Sequence, residues 1–211
     1  MHKLHVLLAA LAGLFVFAGA AQAHPHVWVT IKSELIYAAD GSATGVRHSW
    51  SFDEMFSTFA TQGLDKNNDG VLTREELAEL AEVNISSMKE YDYFTKAKVN
   101  GKPATFEAPK DYWLEHKDKL LTLHFTMPFA GAVKAQNLEL EIYDATFFVA
   151  FALDEKEPVR LVNAPSACKL QVAQPKDAKV QSKPLSESFF NQLDPSSGFG
   201  AQFANKIAVK C

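Results

Sequence analysis

From His26 the sequence HVWVTIKSELIY alternates apolar and polar positions. Val27, Val29, Ile31, Ser33, Leu35 and Tyr37 fall on one side, and Trp28, Thr30, Lys32 and Glu34 on the other. A period of two over this length predicts a strand with one buried face. ADGSATG then supplies turn residues, and VRHSWSF reads as the returning strand of a hairpin, with Val46, His48, Trp50 and Phe52 sharing a face.

At Asp53 the period changes. Phe52, Met55, Phe56, Phe59 and Leu64 stand at helical spacings, and a second amphipathic helix is predicted from about Thr73 to Met88, with Leu77, Leu80, Ala81, Val83 and Ile85 as its apolar side. After Tyr91 strands return, at 93–99, 104–107, 111–116, 120–127, 137–144 and 146–153, with an Asn100-Gly101 turn inside the series and further strands at 168–173 and 204–209. Between the last two, AQPKDAKVQSKPLS is a polar, proline-marked connection. The expected fold is mainly β, a sandwich or barrel-like sheet core, with an EF-hand-like helix–loop–helix inserted at about 53–90.

The first 23 residues read differently. Lys3, an apolar run from Val6 to Ala21 and the Ala21-Gln22-Ala23 site make up the three parts of a secretory signal, with cleavage expected after Ala23. The run is short and contains two glycines, so a membrane span is not expected there, and no later segment is apolar enough for one. The mature product is expected to be a single domain, residues 24–211, in the periplasm.

Loss of the leader with its one lysine leaves 188 residues and moves the formal charge from −4 to −5. With no basic block, nucleic acid is a poor partner. The two cysteines, Cys168 and Cys211, would meet an oxidising compartment, where a disulfide anchoring the C-terminus is favoured over two free thiols. Neither lies in a C-x-x-C motif.

Residues 65–76, DKNNDGVLTREE, carry the clearest chemistry. Asp65, Asn67 and Asp69 occupy positions one, three and five of a calcium loop, with Gly70 at six. Val71 at seven offers its carbonyl, Thr73 stands at nine and Glu76 at twelve. Calcium takes six to eight oxygens, so short oxygen-bearing side chains alternate around it, glycine permits the bend, and a glutamate closes the sphere with two oxygens. A structural calcium is expected, although a solvated helix connection would share this polarity.

His24 and His26 lie on one side of the incipient strand, and cleavage would place the free α-amine beside the His24 ring. Pro25 has no amide proton, which rules out a copper site that needs that nitrogen. A brace remains, in which the amine and ring of His24 bind zinc, copper or nickel together with His26 or His48. The plainer readings are polar terminal residues for His24 and His26 and a core histidine for His48, on its apolar face. Asp144 continues the inward face of Leu138, Leu140 and Ile142, so it needs a partner, either a ligand or the backbone of the turn at Ala145. His124 is expected to be solvated.

AHPHVWV after a signal, WSFDEMFS leading into DKNNDG, and IYDATFFVAF together resemble the exported proteins grouped as domain of unknown function 1007. Members are described as periplasmic components of uncharacterised transport systems, many beside nickel/cobalt-type permeases. The resemblance implies transition-metal handling, and His24 and His26 are the matching His-Pro-His positions.

The leading expectation is a periplasmic metal-handling accessory or binding protein that delivers or buffers nickel, cobalt, zinc or copper for a membrane permease. One alternative is a copper-dependent oxidase built on a histidine brace, which would need an open coordination position and a substrate surface. The other is a calcium-stabilised interaction module that uses some of the 16 phenylalanines for docking. No G-x-S-x-G, H-E-x-x-H, phosphate loop or dinucleotide fingerprint is present in the sequence, which lowers the expectation of an enzyme.

Overall fold

Alternating burial along β1 (Val27–Tyr37) turns Val27, Val29, Ile31, Ser33, Leu35 and Tyr37 inward, and β2 (Ala43–Phe52) pairs with it antiparallel, Ile31 opposite Trp50. The computed structural model describes residues 25–175 and 198–211. The predicted leader, His24 and the Phe189–Phe190 pair lie outside those residues.

The strands form two sheets. The first has the order β5 (Lys110–Lys117), β6 (Leu120–Val133), β2, β1, β8 (Val149–Leu153). Strand β9 (Val159–Val162) follows β8 along β1. The second has the order β10 (Lys169–Ala173), β11 (Asn205–Lys210), β7 (Asn137–Ile142), β3 (Thr95–Val99), β4 (Lys102–Ala104). At the β3–β4 hairpin, Asn100 and Gly101 both have positive φ (50° and 79°), as a two-residue hairpin turn requires.

Inward residues of the two sheets, Ile31, Leu35, Trp50 and Leu123 from the first and Leu138, Leu140 and Ile207 from the second, belong to one hydrophobic core. Asn205 ties the sheets across it. Fully buried, its Nδ2 donates to Phe151 O on β8 (2.8 Å) and Ile142 O on β7 (3.4 Å).

The helical segment between β2 and β3 contains α1 (Glu54–Ala60) and α2 (Ala78–Met88), followed by a 3-10 turn at Lys89–Phe94. Asp53 caps α1, its Oδ1 accepting from Phe56 N at 2.8 Å. The buried side of α1 differs from expectation. Ser57 is fully buried, donating to Phe52 O and accepting from Leu121 N (2.9 Å), while Met55 and Phe59 face outward. In the second helical stretch Leu77, Ala81, Ile85 and Met88 form the buried stripe and Val83 is exposed, because spacings of four, four and three stay on one side of a 3.6-residue turn whereas Val83 does not.

Cys168 and Cys211 are disulfide-bonded, joining the start of β10 to the end of β11. Two pairings go beyond the sequence reading. β1 pairs in parallel with β8 and β9, and β9 is a strand that periodicity did not predict. No helix among the described residues is long and apolar enough to cross a membrane.

Candidate functional site

The loop 65–76 is held by its own oxygen-bearing side chains. Asp65 accepts from Asp69 N (3.2 Å) and Gly70 N (2.9 Å), one through each oxygen, and Asp69 accepts from Val71 N (2.7 Å). Asn67 accepts from Asp69 N (3.0 Å) and donates to Asp69 Oδ2 (2.9 Å). Glu76 closes the loop across its ends, one oxygen accepting from Lys66 N (3.0 Å) and the other from Thr73 N (3.0 Å) and Thr73 Oγ1 (2.9 Å). Those bonds, led by the Thr73 amide, hold the Glu76 carboxyl below its ordinary pKa. Asn68 and Gly70 take positive φ (57° and 81°), and the chain folded around them lets Asp65 and Asn67 both accept from the Asp69 amide.

The donor set of Asp65, Asn67, Asp69, Thr73 and Glu76 with the Val71 carbonyl is all oxygen, which fits a hard cation of the calcium type and no soft metal. Its carboxylates are engaged with backbone amides. Among the described residues no three His, Cys, Asp or Glu side chains are gathered into a ligand cluster.

Arg74 docks this loop onto the first sheet. Its guanidinium lies 3.7 Å over the Trp113 ring, and Trp113 stacks on His124 with centroids 4.1 Å apart. His124 is therefore half-buried, which corrects the expectation of a solvated ring, and burial lowers its pKa against the opposing pull of Glu115. Local periodicity gave no sign of this stack, since its three members come from a loop and two strands.

The other predicted ligands are spread along the fold. Pro25 is buried and His26 exposed at the entry to β1. His26 N donates to Phe148 O (2.9 Å), and the two rings lie 4.7 Å apart. Asp144 is buried and closes the turn before β8, accepting from Thr146 N (2.9 Å), Thr146 Oγ1 (2.8 Å) and Val149 N (2.9 Å). A Cβ at Gly200 would stand 1.8 Å from Asp144 O, so only glycine allows the later 3-10 turn to press against that peptide.

Asp144 and Phe148 also line an apolar cavity of about 360 Å³, together with Val27, Trp50, Phe94 and Phe151. Phe148, to whose carbonyl His26 N donates, thus shares that cavity wall with Asp144.

His48 is elsewhere. Fully buried, it bonds Ser33 Oγ through Nδ1 (2.9 Å) and faces Thr95 Oγ1 through Nε2 (3.4 Å). Burial drives its pKa down to about 3. It pairs opposite Ser33, seven strand positions beyond His26, a separation of roughly 23 Å at 3.3 Å per residue, so His26 and His48 cannot share an ion. His24 lies outside the described residues.

Two proteins show similarity in sequence. An uncharacterized protein of Haemophilus influenzae (strain ATCC 51907 / DSM 11121 / KW20 / Rd) is 28% identical over 204 residues, covering 95% of this chain and 97% of its own. An uncharacterized 15.5 kDa protein in the trpE 3′ region of Spirochaeta aurantia is 28% identical over 98 residues, 46% of this chain and 70% of its own. The loop at 65–76, the His-Pro-His entry to β1 and the Asp144 turn all fall within residues 8–211, the span matched by the family described as Protein of unknown function (DUF1007), and the chain belongs to that family.

Proposed function

We propose that the protein is an exported metal-handling component, stabilised by calcium in the loop 65–76, that holds or passes on a transition metal at the entry to β1. The observation that carries the reading is the loop itself. Its oxygen-bearing side chains alternate at the spacing a hard cation needs, and Glu76 reaches from the end of the loop to its beginning. The transition-metal half rests on His24 and His26. Leader cleavage would free an amine beside the His24 imidazole, and His26 stands exposed two residues on, with a buried proline between them. His48 and Asp144 take no part in that site, one being enclosed in the core and the other having both oxygens occupied by the turn. The metal would be cargo, exchanged with a membrane permease.

The test is calorimetric titration of mature protein beginning at His24 with calcium, and separately with nickel, zinc and copper. Calcium binding lost in Asp65→Asn/Glu76→Gln, together with transition-metal binding lost in His24→Ala/His26→Ala, is the expected result. Transition-metal binding equal in wild type and the histidine variant would remove the cargo half of the proposal and leave the calcium half standing.

A second reading is favoured by one observation. Met55 and Phe59 on α1 are 67% and 72% exposed although both are large and apolar, which suits a docking surface on a calcium-stabilised interaction module.

A further inference from the structure

On the outer face of the first sheet, three adjacent strands set Ser49 (β2), His124 (β6) and Glu115 (β5) in a row. Ser49 and His124 are directly opposite in the β2–β6 register, and Glu115 sits two pairs along, opposite Thr122 and so on the same face. Ser49 Oγ is 2.9 Å from His124 Nδ1, and His124 Nε2 is 3.5 Å from Glu115 Oε2. Nε2 is buried and makes no hydrogen bond within ordinary distance, so the carboxylate is the group that faces it. All three residues line one open cavity of about 520 Å³.

The order hydroxyl, imidazole, carboxylate is that of a nucleophile, its base and the group that orients the base. With Ser49 donating to Nδ1, the ring proton resides on Nε2 and points at Glu115. Trp113 lies flat on the imidazole and fixes its plane. Arg74, over Trp113, and Glu115 are the charged groups acting on His124. The burial that lowers its pKa keeps it neutral, as a base must be, at pH 7.

Lys32 stands opposite Ser49 in the β1–β2 register and lines the same cavity, its ammonium 3.6 Å from the Asp154 carboxylate, and it is the cation in that lining on which an oxyanion would draw. Trp28 and Leu120 add apolar wall, while Asp53 and Asp154 join Glu115 in disfavouring an anionic substrate.

We infer that Ser49 and His124 form a nucleophile–base pair, with Glu115 as its positioning residue, that cleaves small uncharged carboxylic esters. The Oγ–C bond forms as the hydroxyl proton passes to Nδ1. The bond from carbon to the alcohol oxygen then breaks, the alcohol leaving with that proton. Water attacks the acyl-serine by the same route, giving up a proton to Nδ1, which returns it to Ser49 Oγ as the carboxylic acid departs. The assignment requires neither bound metal, and Arg74 of the loop 65–76 bears on it through Trp113.

The experiment uses the mature chain with an alkyl fluorophosphonate as covalent probe, mapped by peptide mass, and p-nitrophenyl acetate as substrate. One adduct is expected, on Ser49, and it disappears in Ser49→Ala. His124→Gln is expected to slow labelling at least 100-fold. Glu115→Gln is expected to slow it about tenfold and move the inflection of rate against pH downward, since the carboxylate favours the imidazolium, a shift that a purely structural role would not produce. No adduct at Ser49 in the wild type, or a labelling rate unchanged by His124→Gln, overturns the inference.

Discussion

Trp113 lies against His124 with their planes 13° from parallel, and Arg74 covers the same indole, so the residue at loop position ten is packed onto the outer face of the first sheet. Arg74→Ala removes a cation–π contact on a half-exposed ring, worth about 0.5–1 kcal/mol. For a chain of this size that is a fall of roughly 1–4 °C in melting temperature. Arg74→Lys should recover part of it, because the ammonium keeps the charge and loses the planar stack. Thermal melts of the three proteins side by side check this.

Calcium added to the mature protein is expected to raise its melting temperature, on the order of 5 °C or more at a hundredfold excess over Kd, because the ion binds only the folded loop. Glu76→Gln keeps the side-chain volume but loses one of the charged oxygens, so the rise should shrink to a small fraction. Magnesium at equal concentration should give little, its smaller octahedral shell being ill served by a bidentate carboxylate. Equal responses to the two ions would contradict the loop assignment.

Acid should weaken the fold through His48. Its pKa is about 3 in the folded protein and near 6.5 in an unfolded chain, so between those values the unfolded chain holds a proton that the folded one does not. The stabilising contribution is complete above about pH 6.5 and is lost as pH falls towards 3. The cost at pH 5 relative to pH 7.5 is about 2 kcal/mol from this residue alone. Urea titrations at the two pH values should show that difference, and His48→Gln, which cannot titrate, should show it reduced by about that amount while being less stable at both.

Reduction of the Cys168–Cys211 disulfide frees a loop closed across 43 residues. Chain entropy sets the expected loss near 4 kcal/mol. Melts with and without dithiothreitol measure it, and Cys168→Ser/Cys211→Ser should match the reduced protein. Since the bond joins β10 to β11 at one edge of the second sheet, the first sheet should retain its protection from hydrogen exchange.

Local pattern carried much of the fold. The period of two along Val27–Tyr37 and Asn137–Ile142, and the Asn100-Gly101 turn, are properties of contiguous residues and reappear as strands and a hairpin. The pairing of β1 with β8 and β9 was not legible, because register between Val27 and Val149 depends on packing between segments far apart in the chain. The outward turn of Met55 and Phe59 was also hidden. Apolar spacing marks a helix, but the polar Ser57, bonded to the β6 backbone, decides which side faces the sheet. At the site, the oxygen spacing of residues 65–76 was readable as chemistry, whereas Arg74, Trp113 and His124 carry no shared motif and meet only in the folded molecule.

The position of β1 bears on how the chain is made. Among the described strands it is the first to leave the ribosome, and β2 follows at once to cover one edge. Its other edge is completed by Val149–Leu153 and Val159–Val162, most of a chain length later. Through that interval the nascent protein presents an open strand edge, the kind that invites wrong pairing. The central sheet therefore cannot close along β1 before residue 162 has emerged.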